Sequence, residues 1–447
     1  MVRWYGISLI LSAAACTAAT SPSNVTFTRD VLPILQKNCQ GCHRPGEAAP
    51  MSLLSYQEAR PWAKAIKSAV LERKMPPWLA DGHYGKFAND RSLSRTDIQT
   101  LVAWVDAGAP EGNPKDAPAP VKFVDGWSIG KPDIVFRLPQ PFAVPSNGTI
   151  EYQYVVLPTG FKEDKWVQLA EVRPGNRAVV HHVIAFIRPP GSRWMADAVP
   201  GVPFVPKAAP RRQAADPQSG TAPAGGTRAR SNSNGGIRDT ELLVGYAPGL
   251  QPTMLNPGEA KLVKAGSDIV LQMHYTANGK AATDQSSIGM IFAKEPPAVR
   301  VVTMNAANAR FAIPPGDPDY EVHSQVTFAE EVKLVDLMPH MHLRGKDFTY
   351  KLVYPSGESE TILDVPRYDF NWQLNYRFSK AVLLPKGTRM ECTAHFDNSA
   401  NNPANPDPAK EVRWGDQSWE GMMIGWFDVA IDAGGDPGSV LQSARTD

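Results

Sequence analysis

The chain is poor in cysteine, with four among 447 residues. Cys16 falls in the N-terminal apolar run, Cys39 and Cys42 belong to one short motif, and Cys392 is left without a mate. A disulfide framework is therefore excluded. An excess of charge is also missing: 46 Lys and Arg stand against 45 Asp and Glu, for a formal net charge of +1. That balance gives no electrostatic case for nucleic acid or an anionic membrane surface as partner. The apolar run at residues 7–15 is too short to span a hydrocarbon layer of about 30 Å, and no internal repeat of short period is visible.

The same short run, preceded by Arg3 and ending in small residues, reads as an export signal over residues 1–20. The expected location is outside the cytoplasm, periplasmic or extracellular. Residues 12–16 fit a small-residue cleavage site or a weak lipoprotein box, in which a lipid on Cys16 would be the one route to a membrane.

Length alone suggests about three domains. Residues 25–112 carry helical patterns. In one of them Ser94 and Asp97 form a capping-box-like start, and Ile98, Leu101, Val102 and Val105 fall on one face. Residues 113–126 form a linker. Beyond it, short Val/Ile/Phe/Tyr-rich runs alternate with turn residues, and the 41 prolines, well above the usual ~5%, suit a turn-rich β-structure. Two β-rich stretches are expected, 127–297 and 298–432, with a polar insertion at 207–236 whose composition predicts disorder. The fold class expected is multidomain: a small all-α domain followed by all-β sandwich domains.

What the chain does have is histidine in company. Six of its nine histidines sit in four short motifs. Cys39, Cys42 and His43 make a Cys-x-x-Cys-His motif, which predicts a covalent c-type haem with His43 as axial ligand. Met75, in a Pro-rich turn after a helix, is the preferred sixth ligand, with Met51 and His83 as alternatives. A thioredoxin-like dithiol would need a βαβ context, and a zinc site a second Cys/His pair nearby. The haem region resembles a class I cytochrome c domain.

His181 and His182 are adjacent, so in a regular strand they point to opposite faces and can share an ion only across a bulge or an irregular end. His340 and His342 share one strand face and can reach one ion. His274 ends an apolar strand, and Met422 lies in a late Met-rich segment. Alone, His274 is as readily a core residue, and His181/His182 one buried and one exposed. His323 and His395 read as structural, and Arg344 and Lys346 as solvated.

Taken in order, residues 180–183, 271–275, 339–343 and 419–423 resemble the copper type II, ascorbate-dependent monooxygenases, the family of peptidylglycine α-hydroxylating and dopamine β-monooxygenases. The resemblance spans about residues 132–432. It implies two jelly-roll domains and two copper ions, one held by His181, His182 and His274, the other by His340, His342 and Met422, with Met390 a weaker alternative to Met422. It implies C–H hydroxylation of a small-molecule substrate by O2 at the second copper. Electrons would come from an external donor, ascorbate or a redox protein, and enter through the haem domain. Departures from the family are Met338 at its carboxylate-binding Arg, Ile424 and Trp426 at its Asn and Tyr, and Met423 opposite the unpaired Cys392. These argue against a peptidylglycine substrate. The rival expectations are a non-catalytic electron-transfer or copper-binding protein, and a copper-free binding module.

Overall fold

The computed structural model describes residues 25–47, 49–124, 126–206 and 240–442. The export signal, Cys16 and the insertion at 207–236 lie outside the described residues. The chain is a multidomain protein, with a small helical region followed by large β-sheets.

By its contacts the chain divides into two units. The first, helical, unit holds the described residues to Pro45 together with Ala49–Met75 and Leu93–Val121. Its helices are Leu32–Asn38, Tyr56–Ala59, Ala63–Leu71 and Arg95–Asp106. Between Tyr56–Ala59 and Ala63–Leu71 a 3-10 turn at Arg60–Trp62 intervenes, where Pro61 cannot donate to the helical ladder. Ser94 caps the last helix by accepting from the Asp97 N–H at 3.1 Å. Phe27, Val31, Leu35, Leu101 and Trp104 form the buried core of this unit.

The second, β-rich, unit includes Pro76–Ser92 as well as the described residues from Lys122 onward. Inside it, Trp78 and Phe87 pack their rings on Tyr376 at 4.9 and 5.5 Å, and Phe87 lies 5.2 Å from Phe378. These aromatic contacts explain why a segment flanked by helical sequence groups with the sheets instead.

One nine-stranded sheet runs through this unit. Its order is Ile134–Arg137, Ser287–Phe292, Lys165–Arg173, Glu259–Val263, Val299–Ala307, Met423–Asp432, Val332–Met341, Tyr376–Leu384, with Thr253–Met254 pairing to one side. A four-stranded sheet (Gln153–Pro158, Asp268–Tyr275, Val180–Arg188, Glu241–Tyr246) shares one apolar core with the first part of it. A second four-stranded sheet (Tyr320–Thr327, Arg389–Phe396, Gly345–Val353, Ser359–Val365) shares another core with the rest. The two sandwiches join through the parallel pairing of Glu259 and Ala260 with Val299 and Arg300.

A third apolar cluster lies where they meet. Tyr152, Tyr154, Val156, Phe186 and Val270 of the first sandwich pack there with Met422, Ile424 and Trp426 of the second. The strand Val180–Arg188 is consequently covered on both faces, which is why it reads as a nearly continuous apolar run rather than an alternating one.

Candidate metal centre

His182 and His274 are paired across adjacent antiparallel strands, and the register slips between Val180 and His182. The slip is a β-bulge, which re-aims one side chain relative to its neighbour. Here it turns His181 toward His182, so that their Nδ1 atoms lie 3.2 Å apart. His181 and His274 rings are 4.8 Å apart, and those of His182 and His274 4.9 Å. One ligand-capable nitrogen from each of the three lies within 4.8 Å of the others.

The surroundings keep these imidazoles neutral. Burial holds His182 well below the usual histidine range, with His274, His181, His340 and His342 adding to the effect. Burial, then His181, pushes His274 down to about 3. His181 is lowered by burial too, partly offset by a hydrogen bond with Asn371. Neutral imidazole is the form that binds a metal. His182 Nε2 and His274 Nδ1 are buried with no hydrogen-bond partner, and buried polar atoms left unpaired are uncommon. The residues present therefore fit a metal ion.

His340 and His342 approach from the second sandwich, their rings 5.3 Å apart. His340 Nδ1 lies 2.9 Å from Gln373 Oε1, and His342 Nδ1 3.2 Å from the Glu420 carbonyl oxygen. Each contact fixes a tautomer with Nδ1–H donating, as in outer-shell support of ligating histidines. Tyr152 stands between the two groups, its ring 4.7 Å from His274, 5.3 Å from His182 and 6.5 Å from His342. Phe370 stacks on His181 at 5.2 Å and lies 6.1 Å from His342. Four histidines, His181, His182, His274 and His342, thus surround two aromatic rings. The spacing of the sequence carries no signal for Tyr152 or Phe370, since Tyr152 reads as one residue of an apolar strand and Phe370 as part of a turn.

Several expectations are corrected here. Two copper centres are not formed. Among the described residues one group of three His, Cys, Asp or Glu ligands is assembled, and it is His181, His182 and His274. His340 and His342 bring two imidazoles without a third such ligand, and Met422 packs in the apolar cluster with Ile424 and Trp426. Met390 is buried in the second sandwich core.

The covalent haem at Cys39, Cys42 and His43 is withdrawn as well. The two cysteines lie in different surroundings and form no disulfide with each other, Cys39 half-buried against the helical core and Cys42 exposed. Burial, then the neighbouring Cys42, pushes the Cys39 thiol up to about 12, which suppresses the reactive thiolate. His43 is tied by a hydrogen bond to the Met51 backbone. Met75 has its backbone N–H on the Ala69 carbonyl, and His83 is exposed and paired with Asp81 at 2.6 Å. With a single three-histidine group assembled among the described residues in place of two centres, the monooxygenase activity is withdrawn too.

Arg344 is not solvated. It is buried, donating to Asn398 Oδ1 and to the Trp419 carbonyl, each at 2.7 Å. Lys346 is exposed and pairs with Asp319. His323 and His395 face Glu321 at 2.7 and 3.2 Å on the far sheet, away from the centre.

No family model matches the chain, and no curated protein matches it. Among solved structures it is similar to that of the Gt strain of infectious bursal disease virus, at 10% identity over 73% of this chain and 77% of that one, TM-score 0.19. It is also similar to the VP2 subviral particle of the same virus, at 10% identity over 69% and 75%, TM-score 0.19. Likenesses at that TM-score carry no argument about this chain. The resemblance to copper type II monooxygenases and class I cytochromes c is corrected accordingly. It rests on short motifs that no family comparison supports, and the paired metal centres it implied are not formed.

Proposed function

We propose that this chain is an exported metal-binding protein whose two β-rich stretches are jelly-roll sandwiches, and that His181, His182 and His274 hold one first-row transition-metal ion. The observation that carries the reading is the convergence of three imidazoles, two buried and one half-buried, across a bulge, with two of their nitrogens unpartnered. Imidazole ligands suit zinc, copper, nickel and iron alike, so the metal class follows from the donor set and the individual metal does not. A bound ion would supply a cross-link between the strands Val180–Arg188 and Asp268–Tyr275. The chain's own part is to hold the three rings neutral and oriented. The sandwich reading is supported by one long sheet faced by two four-stranded sheets, each with its own core. Export is supported by the sequence of residues 1–20.

Protein stripped with a chelator and titrated with Zn(II), Ni(II) and Cu(II) should take up one ion per chain, read by calorimetry and elemental analysis. His182→Ala should weaken uptake at least about 100-fold, because a two-imidazole remnant cannot enclose the ion. Wild-type protein that binds none of the three, or a variant that binds as well as wild type, ends this reading.

A further inference from the structure

Buried tyrosine hydroxyls normally find a partner, and in this chain they do, with one exception among the described residues. The Tyr154 hydroxyl accepts from Gln272 Nε2 at 2.5 Å, and that of Tyr275 donates to Asp284 at 3.0 Å. The Tyr350 hydroxyl donates to the Trp426 carbonyl at 3.0 Å, and that of Tyr368 to the Met341 carbonyl at 2.9 Å. The Tyr152 hydroxyl has no partner although the residue is only 3% exposed. Its ring is in contact range of His274 and His182, whose Nδ1 and Nε2 atoms are also buried and unpartnered. Three orphaned polar atoms, on three side chains packed against one another, share one place in the fold.

We propose that Tyr152 is the fourth ligand of this centre, its phenol oxygen joining the nitrogens of His181, His182 and His274 on one metal ion. The inference rests on the three-histidine reading and deepens it. On binding, the Oη–metal bond forms as the phenol proton leaves to solvent, and the phenolate offsets one positive charge of a divalent ion. A bound cation favours the phenolate over the phenol, so loss of the proton is coupled to the cation's arrival. The backbone places the ring firmly: the Tyr152 N–H donates to Gln417 Oε1 at 3.1 Å, and the strand Gln153–Pro158 that follows pairs with Asp268–Tyr275.

Cu(II) is the probe for the test, since a phenolate on Cu(II) gives a visible charge-transfer absorption and tyrosinate modes in resonance Raman, and an imidazole-only site gives neither. Wild-type protein loaded with one Cu(II) should show both signatures. Tyr152→Phe, which keeps the packed ring, should lose them, still bind one ion per chain and bind it about tenfold more weakly. One bound copper without tyrosinate modes in the wild type overturns the fourth ligand and leaves the three histidines standing. Modes that persist in Tyr152→Phe overturn it too. Wild type that binds no copper overturns the fourth ligand, and wild type that binds none of Zn(II), Ni(II) and Cu(II) overturns both readings at once. The Raman measurement on wild type needs no variant, so a poorly folding Tyr152→Phe does not remove the test.

Discussion

His182 and His274 oppose each other because their strands pair in that register, and His181 joins them because one extra residue bulges between Val180 and His182. A regular strand would have sent His181 to the other face. The three rings are then selected by position and not by residue type. His323, exposed on the strand Tyr320–Thr327 and engaged with Glu321 and Thr393, has the same chemistry and no convergent partners. His274→Ala should therefore weaken metal binding at least about 100-fold while His323→Ala leaves it unchanged, as read by competition with a chromophoric chelator. Equal effects from the two substitutions would show that the convergence has no role. Gln373→Ala belongs to the same scale. It removes the contact that fixes His340 at 2.9 Å and should leave uptake of the ion by the other three histidines within about threefold of wild type.

At the scale of elements, the two sheets of the second sandwich meet through close approaches that a single methyl group would disturb. Gly425, in the strand Met423–Asp432, faces the second core, and a Cβ there would lie 2.7 Å from Cys392 Sγ and 3.1 Å from Tyr350 Cε1. Both neighbours are buried, on strands of the facing four-stranded sheet. Gly425→Ala should cost about 1–3 kcal/mol by overpacking, measured as a lowered urea midpoint. In the helical unit the Ser94 cap is more modest. Ser94→Ala removes one acceptor from the first turn of Arg95–Asp106 and should cost about 1 kcal/mol, visible in the melting of helical circular dichroism.

At the scale of the whole molecule, a charged network lies buried at the seam between the sandwiches. Lys261, 1% exposed, places Nζ 2.6 Å from Thr303 Oγ1, 3.5 Å from Asp428 and 3.9 Å from Glu241, and Arg300 reaches Glu241 at 3.2 Å. Removing the lysine would take the cation from beside Asp428 and leave Glu241 with Arg300 alone, so Lys261→Ala should cost about 3–5 kcal/mol. Nearby, burial and then the repulsion of Asp428 push the Asp336 carboxyl up to about 8, while a hydrogen bond from Asn375 opposes the shift. A carboxyl raised above its unfolded value near 3.8 keeps a proton that the unfolded chain has released. Its contribution to stability is fully present below about pH 4 and is lost as pH rises through about 8. Denaturant unfolding from pH 5 to 8 should show a decline approaching about 1.4 kcal/mol per pH unit from this one group, and Asp336→Asn should flatten it. A slope unchanged in the variant would assign the dependence to other groups.

The helical start, the β-rich remainder and the three metal-capable histidines could all be read along the chain. Each is signalled by nearest neighbours: the Ser94 cap, turn residues between short apolar runs, imidazoles at strand positions. The haem and second-copper readings failed where the same local signals depended on surroundings the sequence does not carry. Cys39 and Cys42 are three residues apart, yet one is packed against a core and the other exposed. His340 and His342 share a face but are joined by no third His, Cys, Asp or Glu side chain in a metal-sized group among the described residues. Tyr152 and Phe370 are ordinary in sequence, and only the packing of one sandwich on the other puts them among four histidines. The sequence determined by itself which residues could bind a metal and roughly which elements carry them, because residue chemistry and short-range periodicity are local. The tertiary structure decided which of them converge and which hydroxyl is left unpaired, because register, a single bulge and the burial of one sheet against another are set by contacts between residues far apart in the chain.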